Sequence, residues 1–192
     1  VYNGENCEGG KRMAYFPLFV DIRGKDVLVA GGGTVAARRV ESLLSFGARV
    51  TVVAPEIDGK IETLLRQYGG SSETDAYTSS GNGGEESPLQ VIRMRFEEYV
   101  RDAGRGAAAA TPWMLLAAAG SSEVNRLAAE WGRQKGALVN RADDRSACDF
   151  YFPALITSGE TVVGVTSGGG DHHLAARVAG RIRGALPEMM EE

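Results

Sequence analysis

Short apolar runs alternate with helical patterns along the first 140 residues. The runs at 25–30 and 49–55 are rich in valine and alanine, as expected for strands covered on both faces of a parallel sheet. Between them, residues 35–46 carry apolar side chains at helical spacing, and Gly47 follows as a helix terminator. Strand, glycine turn, helix and strand make one βαβ unit with a right-handed crossover.

The same pattern continues beyond this unit. A second helix is predicted at 60–68, and a third begins after Ser121 or Ser122 as N-cap and ends at Gly136. The chain therefore predicts an α/β fold of the Rossmann type, a doubly wound parallel sheet. The remaining predicted strands are 89–94, 113–119 and 137–140.

The last fifty residues change character. Residues 149–156 and 161–167 predict two strands joined by the short turn "TSGE", which makes a β-hairpin. Residues 174–187 predict an amphipathic helix that Pro187 stops. Because a hairpin and one helix bury little surface alone, we expect them to pack against a second copy in a homodimer.

These patterns predict three regions. We expect a flexible N-terminal segment over 1–14, a Rossmann domain over 15–142, and a dimerisation and substrate-binding segment over 143–192 whose C-terminal helical part is short. Residues 69–87 are nearly all Gly, Ser, Thr and acid, so we expect a flexible surface insertion there. Such a segment is more often a surface loop without a function of its own than a lid over an active site.

Composition narrows the class of partner and the compartment. A formal net charge of -4 argues against a general nucleic-acid binder. The two cysteines, Cys7 and Cys148, cannot build a disulfide framework and are typical of a reducing compartment. No apolar run approaches the roughly 20 residues that span a bilayer, and the polar start lacks a signal-peptide core. We therefore expect a cytoplasmic protein without a membrane partner.

Glycines at the first strand end predict a dinucleotide site. Gly31, Gly33 and Ala36 match G-x-G-x-x-A between a strand and a helix, where the helix N-terminus favours a pyrophosphate. The second strand ends at Pro55 without the usual acid, Glu56 comes slightly late, and no arginine follows at once, so NAD is favoured over NADP. The residues expected to contact the cofactor are Gly31, Gly32, Gly33, Thr34, Val35, Ala36, Ala54, Pro55, Ala119 and Gly120.

Other site classes find less support in the sequence. There is no P-loop pattern and no tyrosine with a lysine four residues later. No close His/Cys/Asp cluster has metal-ligand spacing, and we expect His172 and His173 to be solvated at a helix start. Cys148 is more typical of a small buried hydrophobe than of a nucleophile.

Asp143 is the candidate for acid–base chemistry. It follows the fifth predicted strand, and ligands of open α/β sheets bind outside the carboxyl ends of the strands. An aspartate there can act as a general base beside a nicotinamide. The alternative is an aspartate that only caps a loop.

Four segments in this order resemble the precorrin-2 dehydrogenase family, the dehydrogenase/chelatase of sirohaem synthesis. They are 15–44 ("YFPLFVDIRGKDVLVAGGGTVAARRVESLL"), 47–56 ("GARVTVVAPE"), 138–156 ("LVNRADDRSACDFYFPALI") and 165–178 ("VTSGGGDHHLAARV"). Together the resemblance covers nearly the whole chain, residues 14–187.

The resemblance implies an oxidoreductase that transfers a hydride from precorrin-2 to NAD and gives sirohydrochlorin. It further implies that a ferrochelatase (lyase) step can follow, in which ferrous iron is inserted as a substrate. In the family Asp143 would act in the oxidation, and it is also a candidate for the chelation step. The tetrapyrrole carries eight carboxylates, which need cationic or hydrogen-bonding partners. The candidates are Arg38, Arg95, Arg141, Arg145, Arg177, Asn140, Ser167, Gly168 and Gly169, although a solvated role is as common for each arginine.

Two departures from the family pattern keep alternatives open. Gly120-Ser121-Ser122 replaces Thr-Asp-Asp after the fourth predicted strand, and Asp171-His172 replaces Ser-Pro near the expected tetrapyrrole cleft. The alternatives are a chelatase that uses the dinucleotide fold only as a scaffold, and a non-catalytic module that binds NAD or a tetrapyrrole.

Overall fold

The computed structural model describes residues 16–73, 87–103, 111–167 and 171–190. It divides into two units, the larger over Val20–Phe150 and the smaller made of residues 16–19 with residues 151–190. Each unit has its own sheet.

The larger unit is built on six parallel strands. Their order across the sheet is β3-β4-β2-β1-β5-β6. Neighbouring strands end in register, since Ala30 pairs with both Val53 and Ala117, and Ala117 pairs with Arg141. The strands are β1 (Asp26–Ala30), β2 (Arg49–Val53), β3 (Ser71–Glu73), β4 (Leu89–Ile92), β5 (Met114–Ala117) and β6 (Leu138–Arg141).

Four described helices lie between these strands along the chain, and one short turn of 3-10 helix follows β6. The helix α1 packs on α2, and α3 packs on α4. The chain reverses its direction of travel across the sheet between β1 and β5, which makes the carboxyl ends of these strands the topological switch point. The helices are α1 (Thr34–Ser45), α2 (Gly59–Gln67), α3 (Phe96–Ala103) and α4 (Ser122–Gln134), and the 3-10 turn is Arg145–Ala147.

An aromatic cluster fills one face of the sheet. Trp131 on α4 meets Phe96 edge-on at 6.2 Å between ring centroids, and Tyr99 lies 5.9 Å from the same indole. All three side chains are buried with Leu115 and Val139 of the sheet. Burial also raises the pKa of Tyr99 to about 12, so this hydroxyl stays neutral.

The smaller unit is an antiparallel hairpin with one helix. The strands β7 (Ala154–Ser158) and β8 (Thr161–Val165) pair directly, and α5 (His172–Met190) packs on them. Its core is small: Ile156, Ala179 and Leu186 are buried, with four partly buried apolar neighbours. No helix in the described ranges is long and apolar enough to cross a membrane.

The structure confirms the predicted α/β class, a Rossmann-type parallel sheet followed by a β-hairpin and a helix. The prediction that Pro187 stops α5 was wrong, because the helix continues to Met190. Pro187 gives no N–H to the carbonyl four residues earlier, and only three further residues of helix follow it.

Three further elements differ from expectation. Of the expected flexible insertion over 69–87, residues Ser71–Glu73 form the edge strand β3, while 74–86 lie outside the described residues. The helix α3 and the 3-10 turn were not predicted. The expected flexible segment 1–14 also lies outside the described residues.

The larger unit extends eight residues beyond the expected domain end at 142. The carboxylate of Asp149 accepts a hydrogen bond from the N–H of Val139 at 2.8 Å, and the N–H of Asp149 donates to the carbonyl of Val139 at the same distance. Because these bonds hold the chain to β6, residues 143–150 belong to the larger unit rather than to the hairpin.

Candidate active site at the carboxyl edge of the sheet

Two glycines after β1 are required by close packing of backbone. Gly31 has φ +120°, and a Cβ on it would overlap the carbonyl of Ala118 beyond β5. A Cβ on Gly32 would overlap the carbonyl oxygen of Glu56 and would lie 2.9 Å from the Cβ of Ala54. The segments that follow β1, β2 and β5 therefore meet here with no side chain between them.

Gly33 is the open position in this loop. No described atom lies within 4 Å of the place where its Cβ would be, and the residue is exposed. It is the N-cap of α1 with no side-chain hydrogen bond to the first turn, and that turn has no acidic residue. Ala36 is fully buried and lets α1 approach the sheet. Free N–H groups, the helix dipole and open space together fit a pyrophosphate group.

Asp58 holds the glycine loop from the side of β2. Its backbone N–H donates to the carbonyl of Gly32 at 2.7 Å, and its Oδ2 accepts from the hydroxyl of Thr34 at 3.1 Å. Its Oδ1 accepts from the N–H of Lys60 at 2.9 Å and so caps α2. The bond from Lys60 N–H and the one from Thr34 hold the pKa of Asp58 below its ordinary value.

Asn125 fixes the loop between β5 and α4. Its side chain is buried, its Oδ1 accepts from the N–H of Ala119 at 2.8 Å, and its Nδ2 donates to the carbonyl of the same residue at 3.1 Å. Ser121 caps α4 through a 3.4 Å bond from the N–H of Val124. Ala119 and Gly120, two predicted cofactor contacts, thus have a defined backbone path next to Gly31.

Asp143 lies two residues beyond the end of β6 and forms an ion pair with Arg141. The guanidinium donates from Nε and Nη2 to the two carboxylate oxygens at 3.2 and 2.9 Å. The Arg141 side chain is 10% exposed and that of Asp143 is 29% exposed. Hydrogen bonds from Arg141, with a smaller contribution from Ser122, hold the pKa of Asp143 below its ordinary value. The carboxylate is therefore ionised at neutral pH and accessible to solvent.

Arg141 joins this carboxylate to two other elements. Its Nη2 donates to the hydroxyl of Ser122 on α4 at 3.3 Å, and its Nη1 donates to Asp144 at 3.3 Å. Asp144 in turn caps the 3-10 turn by accepting from the N–H of Ser146 at 3.0 Å. The hydrogen bond to Asp143 raises the pKa of Arg141 still further.

Cys148 and Asn140 close the same loop from within. The thiol accepts from the N–H of Arg141 at 3.2 Å and donates to the carbonyl of the same residue at the same distance. Asn140 is buried, and its Nδ2 donates to the carbonyl of Phe150 at 2.8 Å. Burial raises the pKa of Cys148, so it is a neutral packing group. The interpretation of Asn140 and Arg141 as substrate ligands stays a prediction, since both have partners inside the loop.

The structure places all the predicted cofactor residues at one edge of the larger sheet, whereas the predicted substrate residues belong to both units. The cofactor residues Gly31–Ala36, Ala54, Pro55, Ala119 and Gly120 all follow the carboxyl ends of β1, β2 and β5. Ser167 belongs to the smaller unit, where its hydroxyl accepts from the N–H of Asp171 at 3.1 Å. Gly168 and Gly169 lie outside the described residues. The arginines Arg38, Arg95, Arg145 and Arg177 have exposed side chains.

Sequence reasoning missed three polar residues that shape this edge. Asp58 and Asn125 each hold a loop through backbone hydrogen bonds, and Ser122 links Arg141 to α4. An aspartate followed by a helical pattern was a visible N-cap signal for Asp58. Within the described ranges, no group of three His, Cys, Asp or Glu side chains could hold a metal ion.

Comparison with known proteins places the chain in a family. Residues 18–154 match the family described as "Putative NAD(P)-binding". The "Probable multifunctional siroheme biosynthesis protein HemA" of Ruminiclostridium josui is 34% identical over 169 residues, 88% of this chain and 28% of its own length. A "Siroheme synthase" of Nitrosococcus oceani is 30% identical over 92% of this chain and 32% of its own length. The chain thus spans about a third of these relatives.

A solved structure shares the fold. The chain named "SirC, precorrin-2 dehydrogenase" superposes with a TM-score of 0.62 at 24% identity, over 88% of this chain and 69% of that one. The two structures are therefore similar in the arrangement of their strands and helices.

The glycine loop gives a matched pair of stability predictions. Gly31→Ala should lower the free energy of unfolding by about 2–4 kcal/mol, because the new Cβ meets the Ala118 carbonyl at an unfavourable φ. Gly33→Ala should change it by no more than about 1 kcal/mol, since that position is open and has φ -78°. Urea unfolding followed by circular dichroism measures both, and equal losses in the two variants would contradict the packing.

Proposed function

Because the chain belongs to the family described as NAD(P)-binding, we propose that it binds NAD and oxidises precorrin-2 to sirohydrochlorin in sirohaem biosynthesis. The observation that carries the proposal is the open backbone position at Gly33, between two glycines that packing requires and a helix start without a capping side chain. The names of the matched relatives and of the solved structure support the tetrapyrrole as substrate.

The residues present fit the dinucleotide. The backbone N–H groups of Thr34 and Val35 at the start of α1 would hold the pyrophosphate, while Ala54 and Pro55 would line the adenosine side. Ala119 and Gly120, on the other side of Gly31, would line the nicotinamide side. When bound, NAD supplies the acceptor for a hydride.

Asp143 is the proposed proton acceptor. Oxidation of precorrin-2 removes a hydride and a proton, so a base must take the proton as the hydride leaves. The ion pair with Arg141 keeps Asp143 deprotonated, but it also makes the carboxylate a weak base. A substrate carboxylate that draws hydrogen bonds from Arg141 would strengthen this base when the tetrapyrrole is bound. Arg141 thereby takes part in both substrate binding and proton transfer.

Further cations and hydrogen-bond donors would anchor the polycarboxylate. Arg38, Arg95, Arg145 and Arg177 have exposed side chains, and an exposed guanidinium can take up a carboxylate in a bidentate pair. Asn140, Ser167, Gly168 and Gly169 are the other proposed substrate residues.

Ferrous iron enters this proposal only as a possible second substrate. The names of the matched relatives refer to sirohaem, the iron-containing product, which supports a metal-insertion step in the same pathway. Ferrous iron persists in a reducing compartment, and the two cysteines of the chain support such a cytoplasmic setting.

Reconstitution tests the activity and separates its alternatives. Purified protein with NAD and precorrin-2 should produce sirohydrochlorin and NADH in equal amounts, followed by absorbance, and omission of NAD should abolish the product. Ferrous iron added to sirohydrochlorin without NAD tests the chelatase alternative. Binding of NAD or tetrapyrrole without any product would favour the non-catalytic module.

Asp143→Asn isolates the proton-transfer step. The amide keeps the size of the side chain and removes its basicity, so kcat should fall about 100-fold or more. The dissociation constant for NAD should stay within about twofold, because Asp143 follows β6 rather than the glycine loop. Glu130→Gln, on an exposed position of α4, is the control for loss of one charge. A kcat within threefold of the original would remove Asp143 from the mechanism.

The smaller unit supports a homodimer as part of this proposal. Phe16, Leu18 and Phe19 are 86%, 73% and 75% exposed, and Leu174 and Val178 on α5 are exposed as well. Apolar side chains in this number on a unit with a small core favour burial against a second copy. Sedimentation equilibrium should give a mass near twice 20.4 kDa, and Leu18→Asp with Phe19→Asp should shift it toward the monomer. A monomer at all protein concentrations would contradict the proposal.

A further inference from the structure

Asp58 holds the glycine loop, but its charge has no role toward a ligand in the site described above. Its backbone N–H donates to the Gly32 carbonyl, and its Oδ2 accepts from the Thr34 hydroxyl. Thr34 is the first residue of α1, so this contact joins the segment after β2 to the start of that helix.

This position corresponds to the ribose side of a dinucleotide. In folds of this kind the adenosine ribose lies between the glycine loop and the end of the second strand, where an acidic side chain accepts from its 2′-hydroxyl. The segment after β2 packs against Gly32 through the carbonyl of Glu56 and the Cβ of Ala54. This packing brings Asp58, two residues later than Glu56, against the loop. Glu56 has an exposed side chain.

The carboxylate of Asp58 has no direct ion-pair partner among the described residues. Lys60 is a nearby cation that contributes to the lowered pKa of Asp58, but its Nζ pairs with the carboxylate of Glu41 on α1 at 2.5 Å. The bonds that Asp58 accepts come from a neutral backbone N–H and a neutral hydroxyl. A 2′-phosphate on this side of the loop would therefore meet a negative charge.

We infer that Asp58 is the residue that selects NAD over NADP, by accepting from the 2′-hydroxyl of the ribose and repelling a 2′-phosphate. The inference rests on the proposed dinucleotide binding and adds its specificity. In this βαβ unit, the acidic residue after the second strand that contacts the ribose is then Asp58 and not Glu56.

Asp58→Asn tests this inference with binding alone. Asparagine is an equally good N-cap through its single oxygen, and its Nδ2 can donate to the Thr34 hydroxyl in place of the bond that Oδ2 accepted. The loop and α2 should therefore be retained while the charge is lost. Dissociation constants for NAD and NADP are measured by calorimetry at one fixed ionic strength. The original protein should favour NAD, and the variant should shift the NADP-to-NAD affinity ratio toward NADP by roughly tenfold.

Two control variants separate selection from other effects. Asp26→Asn removes the same charge at the opposite edge of the sheet, where Asp26 pairs with Arg49, and should leave the ratio unchanged. Glu56→Gln removes the charge of the exposed acid two residues before Asp58 and should also leave the ratio unchanged within about twofold. Thermal unfolding of each variant verifies that it folds.

The outcomes are distinguishable. If the original protein binds neither dinucleotide, both the proposed function and this inference fail. If it binds NAD but Asp58→Asn weakens both dinucleotides equally or leaves the ratio unchanged, the role of Asp58 is confined to holding the loop and the inference is overturned. A shift of equal size in Asp26→Asn would likewise overturn it.

Discussion

Contact between bare backbone segments at the end of β1 is the constraint on which this edge of the molecule depends. Gly31 lies against the Ala118 carbonyl and Gly32 against the Glu56 carbonyl. The loops that follow β1, β2 and β5 therefore pack directly against one another. The convergence is possible because β1, β2 and β5 end in register. The third glycine faces open space and leaves the start of α1 accessible. Packing thus requires two of these residues, and the third creates room for a ligand.

Polar groups behind this edge keep its loops in place. Asn125 fixes the loop after β5, Asp58 the loop after β1, and Arg141 with Cys148 the loop after β6. In the described part of the chain, every buried side-chain nitrogen or oxygen has a hydrogen-bond partner. A buried polar group without a partner costs about 1–3 kcal/mol, so satisfied networks of this kind favour one loop conformation over alternatives.

The sequence was sufficient for the features that depend on local periodicity. Buried parallel strands, helical spacing and glycine terminators predicted the Rossmann-type sheet and the hairpin, and the positive φ of Gly47 and Gly136 agrees with the predicted helix ends. The apolar spacing of Phe96, Tyr99 and Val100 was also present for α3, but the helix is short and follows its strand closely. The edge strand β3 consists of Ser-Ser-Glu and depends on pairing with a distant segment, which periodicity cannot reveal.

Only those parts of the candidate site that directly follow the ends of strands were predictable from the sequence. The glycine pattern located the proposed cofactor loop, and the strand-end rule placed Asp143 at the correct edge. Partners that are distant in sequence were not predictable. Arg141 was a candidate either for substrate binding or for a solvated surface role, and its bond of 3.3 Å to Ser122, 19 residues away in the chain, was not foreseen. Asp58 contacts Thr34 across 24 residues, and only the folded loops bring the two together.

The amide of Asn125 has a consequence for how this loop tolerates change. It both donates to and accepts from Ala119, a combination that neither a carboxylate nor an aliphatic side chain can reproduce. Because Asn125 anchors the loop at Ala119, the peptide beside Gly31 does not depend on the side chains of the next three positions, where Ser121 caps α4 and Ser122 accepts from Arg141. Gly120, Ser121 and Ser122 can then diverge in chemistry from other members of the family while the peptide beside Gly31 keeps its course. Substitutions at these three positions would change the groups that the loop presents to a ligand and leave the backbone path of the loop intact.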